Sequence, residues 1–207
     1  MVAFGVAMRG RAYFLVLAAI ATALFCGLAV AVETNRLTGF DEAVRMKLHS
    51  LASPLLTLLA EKMTWLGALG VVTLFGVVAV AALVHARRRD GAVFLTVTMV
   101  GALVLENGLK FSFQRMRPPP FFGSAPVTYS FPSGHALFSL CFYGGLAIAA
   151  SRSMQSAALK TGIWMAAVLL VLAIGGTRIY LGVHYPSDVL GGYLVAIAWI
   201  AIVRRWA

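Results

Sequence analysis

The second half of this sequence carries three polar clusters set between apolar runs. Lys110 and Arg117 lie in KFSFQRMRPPP with six residues between them, and His135 follows Ser133 and Gly134 in YSFPSGHALF. Arg178, His184 and Asp188 share GGTRIYLGVHYPSDVLGG. Each cluster has an ordinary explanation when taken alone. Basic residues at a helix end reach for lipid headgroups. Ser133 after Pro132 is a common helix start, Asp188 after Pro186 suits a first helical turn, and His184 could be interfacial, as His49 and His85 are read. Jointly they place three bases, two histidines and a carboxylate on one membrane face, where ionisable groups are costly and tend to mark function. A glycine such as Gly134 in a first turn lets a ligand approach the backbone, and the free N–H groups of that turn attract an anion. The chemistry these residues suit is the holding of a multiply charged anion.

The elements that must position them are membrane helices. Of 207 residues, 61% are apolar and 12% charged, against about 45–50% and about 25% in soluble chains. A spanning helix needs about 20 apolar residues, and six runs qualify: Tyr13 to Val32, Thr64 to Val84, Gly91 to Lys110, Ser133 to Ala150, Thr161 to Thr177 and Ser187 to Val203. The expected fold is therefore all-α and integral to the membrane, with six transmembrane helices in a single domain over 1–207. The first run resembles a signal peptide in its flanking arginines, but it is too long for a typical signal core and is read as an uncleaved span. No internal repeat or low-complexity linker interrupts the chain.

Between the first two spans, Phe40, Val44, Leu48 and Leu51 recur at helical spacing. That pattern predicts an amphipathic helix lying in the interface, with a simple polar connection as the alternative. The loop PPPFFGSAPVTYSF, with four prolines and Phe121, Phe122 and Tyr129, reads as a stiff interfacial segment that shapes a lipid entrance or simply belongs to an aromatic belt.

The formal charge of +10 divides by side. Alternate loops place Arg9, Arg11, Arg87, Arg88, Arg89, Arg152, Lys160, Arg204 and Arg205 with only Asp90 on one face, a balance of +8; the opposite face holds eight bases and six acids, a balance of +2. The positive-inside rule makes the first face cytoplasmic, with both termini on it and all three polar clusters opposite. Scattered bases between apolar runs exclude a nucleic-acid-binding face. Cys26 and Cys141 sit in apolar runs and read as small hydrophobes, not as a disulfide or metal site.

Lys110-x6-Arg117-Pro118, Pro132-Ser133-Gly134-His135 and Thr177-Arg178-x5-His184-x3-Asp188 closely resemble the three-part signature of the type 2 phosphatidic acid phosphatase superfamily, which also includes vanadium-dependent haloperoxidases. Order, spacing and residue type agree in all three parts, and the six-span layout is similar to the superfamily's integral-membrane lipid phosphatases over nearly the whole chain. Thr177 stands where many members have serine, and both carry a hydroxyl.

The resemblance implies that His184 takes a phosphoryl group as phosphohistidine, that Asp188 orients its imidazole, and that His135 protonates the leaving oxygen and then activates water. Lys110, Arg117, Arg178, the Ser133 hydroxyl and the Gly134 N–H would hold the phosphate, so that protein cations do the electrostatic work and neither metal nor other cofactor is needed. Glu106, four residues before Lys110, either aims that lysine or offsets its charge; a contact from Arg115 to a headgroup or second phosphate is one further reading. Implied substrates are phospholipid or isoprenoid lipid phosphates: undecaprenyl pyrophosphate, phosphatidylglycerol phosphate or phosphatidic acid. The implied setting is the outer face of a cytoplasmic membrane. A lipid phosphotransferase remains open. A transporter would carry ionisable residues toward the middle of its spans, and haloperoxidases are soluble. No feature of the sequence bears on oligomeric state.

Overall fold

The computed structural model describes residues 2–124 and 126–206. The side chains of Arg9 and Arg11, which entered the charge sorting, lie outside the described residues. In chain order the helices are α1 (Val2–Glu33), α2 (Thr38–His49), α3 (Pro54–Trp65), α4 (Leu69–His85), α5 (Arg89–Phe113), α6 (Gly134–Ser139), α7 (Gly145–Ser151), α8 (Ala157–Tyr180) and α9 (Pro186–Trp206). A π turn over Leu140–Gly144 joins α6 to α7, so these form one span. No strand occurs among the described residues.

Five helical segments are long and apolar enough to cross a membrane, and the bent pair α3–α4 makes a sixth. The apolar surface is turned outward: Leu74, Val104 and Leu169 are each more than 60% exposed, while Leu95, Ala102, Leu137 and Ala196 are fully buried. An apolar exterior of this extent is a membrane-facing surface. Small residues let the spans approach closely. Gly101 lies under the Trp199 ring, Gly175 under the Tyr193 hydroxyl, and Gly191 against Phe131. Phe25, Phe113 and Phe131 then close the packing of α1, α5 and the loop before α6, with ring centroids 5.1–6.0 Å apart.

The second span differs from its sequence reading of Thr64 to Val84. Its helix starts at Pro54, where Ser53 accepts the Leu56 N–H at 3.3 Å, and breaks at residues 66–68 with a bend of 48°. Three successive short-range bonds tighten the end of α3, from the N–H groups of Leu66, Gly67 and Ala68 to the carbonyls of Met63, Thr64 and Trp65. Gly67 permits the break because a Cβ there would meet Ile174 and would lie 3.2 Å from the His135 ring. The last two spans also run longer than their apolar cores, over Ala157–Tyr180 and Pro186–Arg205, because motif residues form helix ends there, whereas the fourth is only displaced by one residue, to Gly134–Ser151.

α2 is the interfacial helix that the spacing implies, but its polar side is the buried one. Phe40 and Met46 are more than half exposed and Val44 and Leu48 half-buried, whereas Asp41 and Arg45 are buried against the protein. With lipid outside, an amphipathic helix turns its charges inward when they find partners there.

Candidate active site

One end of the bundle gathers all three motifs. α5 ends with Glu106 and Lys110, whose side chains pair at 2.5 Å. A left-handed Gln114 (φ 47°) then stops the helix and turns the chain toward Arg115 and Arg117. α6 begins after Ser133, α8 brings Arg178 in its last turn, and α9 carries Asp188 in its first turn. Backbone bonds fix these pieces to one another: Ser133 N–H donates to the Asp188 carbonyl at 2.9 Å, Ser130 N–H to Arg115 at 2.8 Å, and Phe121 N–H to Leu181 at 3.1 Å.

His184 is 1% exposed and is held from both sides. Its Nδ1 faces Asp188 Oδ2 at 3.3 Å, and its Nε2 lies 2.8 Å from Arg117 Nη1. A guanidinium only donates, so Nε2 accepts and the ring proton sits on Nδ1, toward the carboxylate. Burial pushes the imidazole down to about 4; Arg117 and Arg178 add to this and Asp188 opposes it. The ring is therefore neutral at ordinary pH, with its Nε2 lone pair directed at the cationic cluster.

Arg117 is itself oriented by three acceptors: the Val183 carbonyl at 2.8 Å, the Thr128 carbonyl at 2.8 Å and the Thr128 hydroxyl at 2.9 Å. Burial lowers the proton affinity of its guanidinium, offset in part by Asp188 and Glu106. Arg178 donates to the Thr64 hydroxyl at 2.7 Å, which ties α8 to the end of α3. His135 packs against Gly67, and the charged groups acting on it are Arg178, His184, Lys110 and Arg117. Two buried polar atoms of the cluster, Ser133 Oγ and Arg178 Nε, have no hydrogen-bond partner. Buried polar groups are normally paired, so both retain bonding capacity.

Three motif residues serve differently from their simplest reading. Ser133 occupies the N-cap position of α6 without making a side-chain cap bond. Gly134 is closely approached by Glu106, whose Oε1 would lie 2.7 Å from a Cβ there, so the glycine admits the Glu106–Lys110 pair. The Thr177 hydroxyl donates to the Ile174 carbonyl at 2.6 Å within its own helix. Arg115 does not reach outward to a headgroup: it pairs with Asp188 at 2.6 Å and Asp41 at 2.8 Å. Burial disfavours its charge, but those two carboxylates outweigh the effect and hold its pKa above the ordinary value. Sequence reading missed Asp41, Arg45, Thr64, Gly67, Thr128 and Ser187. For Asp41 and Arg45 a signal existed, since acid and base four residues apart mark a polar helix face.

An apolar groove of about 480 Å³ runs between α4 and α5, lined from Leu69 and Leu103 to Val80 and Leu95. Leu69 lies just beyond the bend that touches His135, and Leu103 one turn before Glu106. Among the described residues, no three His, Cys, Asp or Glu side chains are grouped as a metal site.

A helical membrane protein with a cationic, histidine-bearing cluster at one end of its bundle is the class these features define. Residues 91–207 match the model of the PAP2 superfamily, and the chain belongs to that superfamily. It is 28% identical to phosphatidylglycerophosphatase B of Bacillus subtilis over 186 residues, covering 87% of this chain and 89% of that protein. It is also 28% identical to an undecaprenyl-diphosphatase of Sulfolobus acidocaldarius over 127 residues, covering 58% of this chain and 57% of the other. The crystal structure of a transmembrane PAP2-type phosphatidylglycerolphosphate phosphatase from Bacillus subtilis superposes with a TM-score of 0.84 at 26% identity, over 92% of this chain and 95% of that one. The chain is thus a membrane-embedded PAP2-type phosphatase.

Proposed function

We propose that the protein hydrolyses a membrane lipid phosphate or pyrophosphate without a metal, through a phosphohistidine on His184, in one membrane domain over 1–207. The observation that carries this is the fixing of His184 between Asp188 on Nδ1 and Arg117 on Nε2, inside a cluster that also holds Lys110, Arg178 and His135. Nε2 attacks phosphorus as the bond from phosphorus to the lipid oxygen breaks, and His135 gives that oxygen a proton. Water then attacks phosphorus, losing its proton to His135 as the N–P bond breaks, and phosphate leaves. Asp188 stabilises the positive imidazole between the two steps. Lys110, Arg117, Arg178, Ser133 Oγ and the Gly134 N–H hold the equatorial oxygens, where charge stabilisation accelerates phosphoryl transfer most. Glu106 aims Lys110, and Thr177 supports the end of α8 next to Arg178.

The activities of the two relatives make phosphatidylglycerol phosphate and undecaprenyl pyrophosphate the first substrates to test, with phosphatidic acid beside them. The α4–α5 groove suits an acyl or prenyl chain whose phosphate lies at the cluster. Charge sorting supports cytoplasmic termini and a site on the outer face of the cytoplasmic membrane, which is where a carrier lipid that has delivered its sugar leaves its pyrophosphate. A cysteine introduced by Ser124→Cys should react with an impermeant reagent added outside; reaction only from the cytoplasmic side would reverse this orientation.

The deciding experiment is phosphate release from those three lipids by purified protein, with and without chelator, alongside His184→Ala. Release that survives chelation and is lost in the variant is the expected result. No release from any of the lipids, or equal release by the variant, would sink the reading. Adding lipid or sugar acceptors and locating the phosphate distinguishes hydrolysis from transfer.

A further inference from the structure

Asp188 uses both carboxylate oxygens. Oδ2 faces His184 and accepts the Tyr185 N–H at 2.8 Å, while Oδ1 accepts Arg115 Nη1 at 2.6 Å. Arg115 continues the chain, since its Nη2 donates at 2.8 Å to Oδ2 of Asp41 on the interfacial helix. Ser187 closes the ring: its N–H donates to Asp41 Oδ1 at 3.0 Å, its hydroxyl donates to Asp41 Oδ2 at 2.6 Å, and its oxygen accepts from Arg115 at 2.7 Å. Asp41 and Asp188 are both 0% exposed. α2 is docked there by Arg45, which donates to the carbonyls of Pro119 at 2.8 Å and Gly182 at 3.4 Å and lies over the Phe121 and Tyr185 rings.

None of the phosphoryl-transfer steps uses Asp41, and a buried carboxylate is retained only at a cost that its partners must offset. Its charge has a clear consequence. Arg115 facing Asp188 alone would cancel the carboxylate that His184 depends on. With Asp41 on the other side of the guanidinium, the three groups together carry one negative charge, and the Asp188 oxygen facing His184 is the one that Arg115 does not bond.

We infer that Asp41 is a positioning residue for the reaction: through Arg115 and Ser187 it fixes Asp188 and leaves that carboxylate's charge available to the His184 imidazole, so the interfacial helix sets the reactivity of the nucleophile. The inference rests on reading His184 as the phosphoryl acceptor. Asp41 touches neither the phosphate cluster nor His184, so its removal should slow formation of the positive N-phosphorylated imidazole and leave substrate binding alone.

The test uses the full chain reconstituted in lipid, with Asp41→Asn as a near-isosteric variant and rapid quenching into alkaline detergent to trap an acid-labile phosphoenzyme. Loss of the outer partner of a metal-bound histidine typically costs about 10–100-fold; Asp41 acts on His184 through Asp188 in the same indirect way, and a drop in that range is expected in kcat and in the phosphoenzyme formation rate. KM and inhibition by inorganic phosphate should stay within about twofold, because uniform binding is untouched. Should that variant not fold, Ser187→Ala removes one of the Asp41 bonds and should give a smaller drop with the same split. Wild-type protein that forms no phosphoenzyme would overturn the reading of His184. A phosphoenzyme formed at the wild-type rate by the folded variant, or a loss seen in KM instead of kcat, would overturn the role of Asp41 alone.

Discussion

Nε2 of His184 lies 2.8 Å from Nη1 of Arg117, so the nitrogen proposed to attack phosphorus and the guanidinium proposed to hold the phosphate share one hydrogen bond in the absence of substrate. Thr128 and the Val183 carbonyl hold the rest of the guanidinium, so a phosphate oxygen replacing Nε2 at that donor would lie beside the attacking atom. Removing a preorganised donor of this kind typically costs about 10²–10³-fold. Arg117→Ala is expected to lose that much kcat/KM on a lipid phosphate. Arg117→Lys should recover only part, because a lysine cannot satisfy several acceptors in one plane.

The acid side of the pH profile is a second test. Burial takes His184 from the usual 6.5 down to about 4, so the free enzyme keeps this imidazole, the proposed nucleophile, neutral well below the normal histidine range. The acid limb of kcat/KM should accordingly fall below pH 6, toward 4. The same shift acts on stability. Between about pH 4 and 6.5 the unfolded chain binds the proton that the folded chain refuses, so stability rises with pH across that window and is lost as pH falls. Thermal midpoints measured from pH 7 down to 4.5 should decline; a midpoint unchanged over that range would contradict a buried neutral His184.

His135 can be separated from His184 by the leaving group. General acid–base assistance contributes about 10²–10⁴-fold, and His135→Ala should lose activity in that range on a lipid monophosphate. An aryl phosphate with a weakly basic leaving group needs no proton for the first step, so the variant should then accumulate phosphoenzyme and show a burst of phenol. Equal loss on both substrates, with no burst, would place His135 outside the proton path.

Gly67 gives a structural test away from the signature motifs. A Cβ there would meet Ile174 and press on the His135 ring at 3.2 Å. Overpacking of this kind costs about 1–3 kcal/mol, so Gly67→Ala should lower the thermal midpoint and reduce kcat together. Gly70, which has open space around it, is the control, and Gly70→Ala should change neither.

How much of this was legible in the sequence follows from what each feature depends on. Apolar runs near 20 residues report the transfer of side chains into lipid, and backbone satisfaction within a bilayer then leaves the helix as the spanning form; this is why five spans kept their places and shifted only at the ends. Lys110, Arg117, Ser133, His135, Arg178, His184 and Asp188 were legible because their types and spacings are local facts, each next to the end of a span. The bend at residues 66–68 was not, because an apolar run reads the same whether straight or broken, and only the contact of Gly67 with α8 and His135 selects the break. Arg115 and Arg117 stand two residues apart with the same charge, yet one closes on Asp41 and Asp188 and the other on His184. The amino-acid order alone determined that this chain crosses a membrane and brings cations and imidazoles to one of its faces. Which charge neutralises which, and so which of them remain for the substrate, was decided by tertiary packing, because ion pairs between distant segments depend on distances that exist only once the helices are assembled.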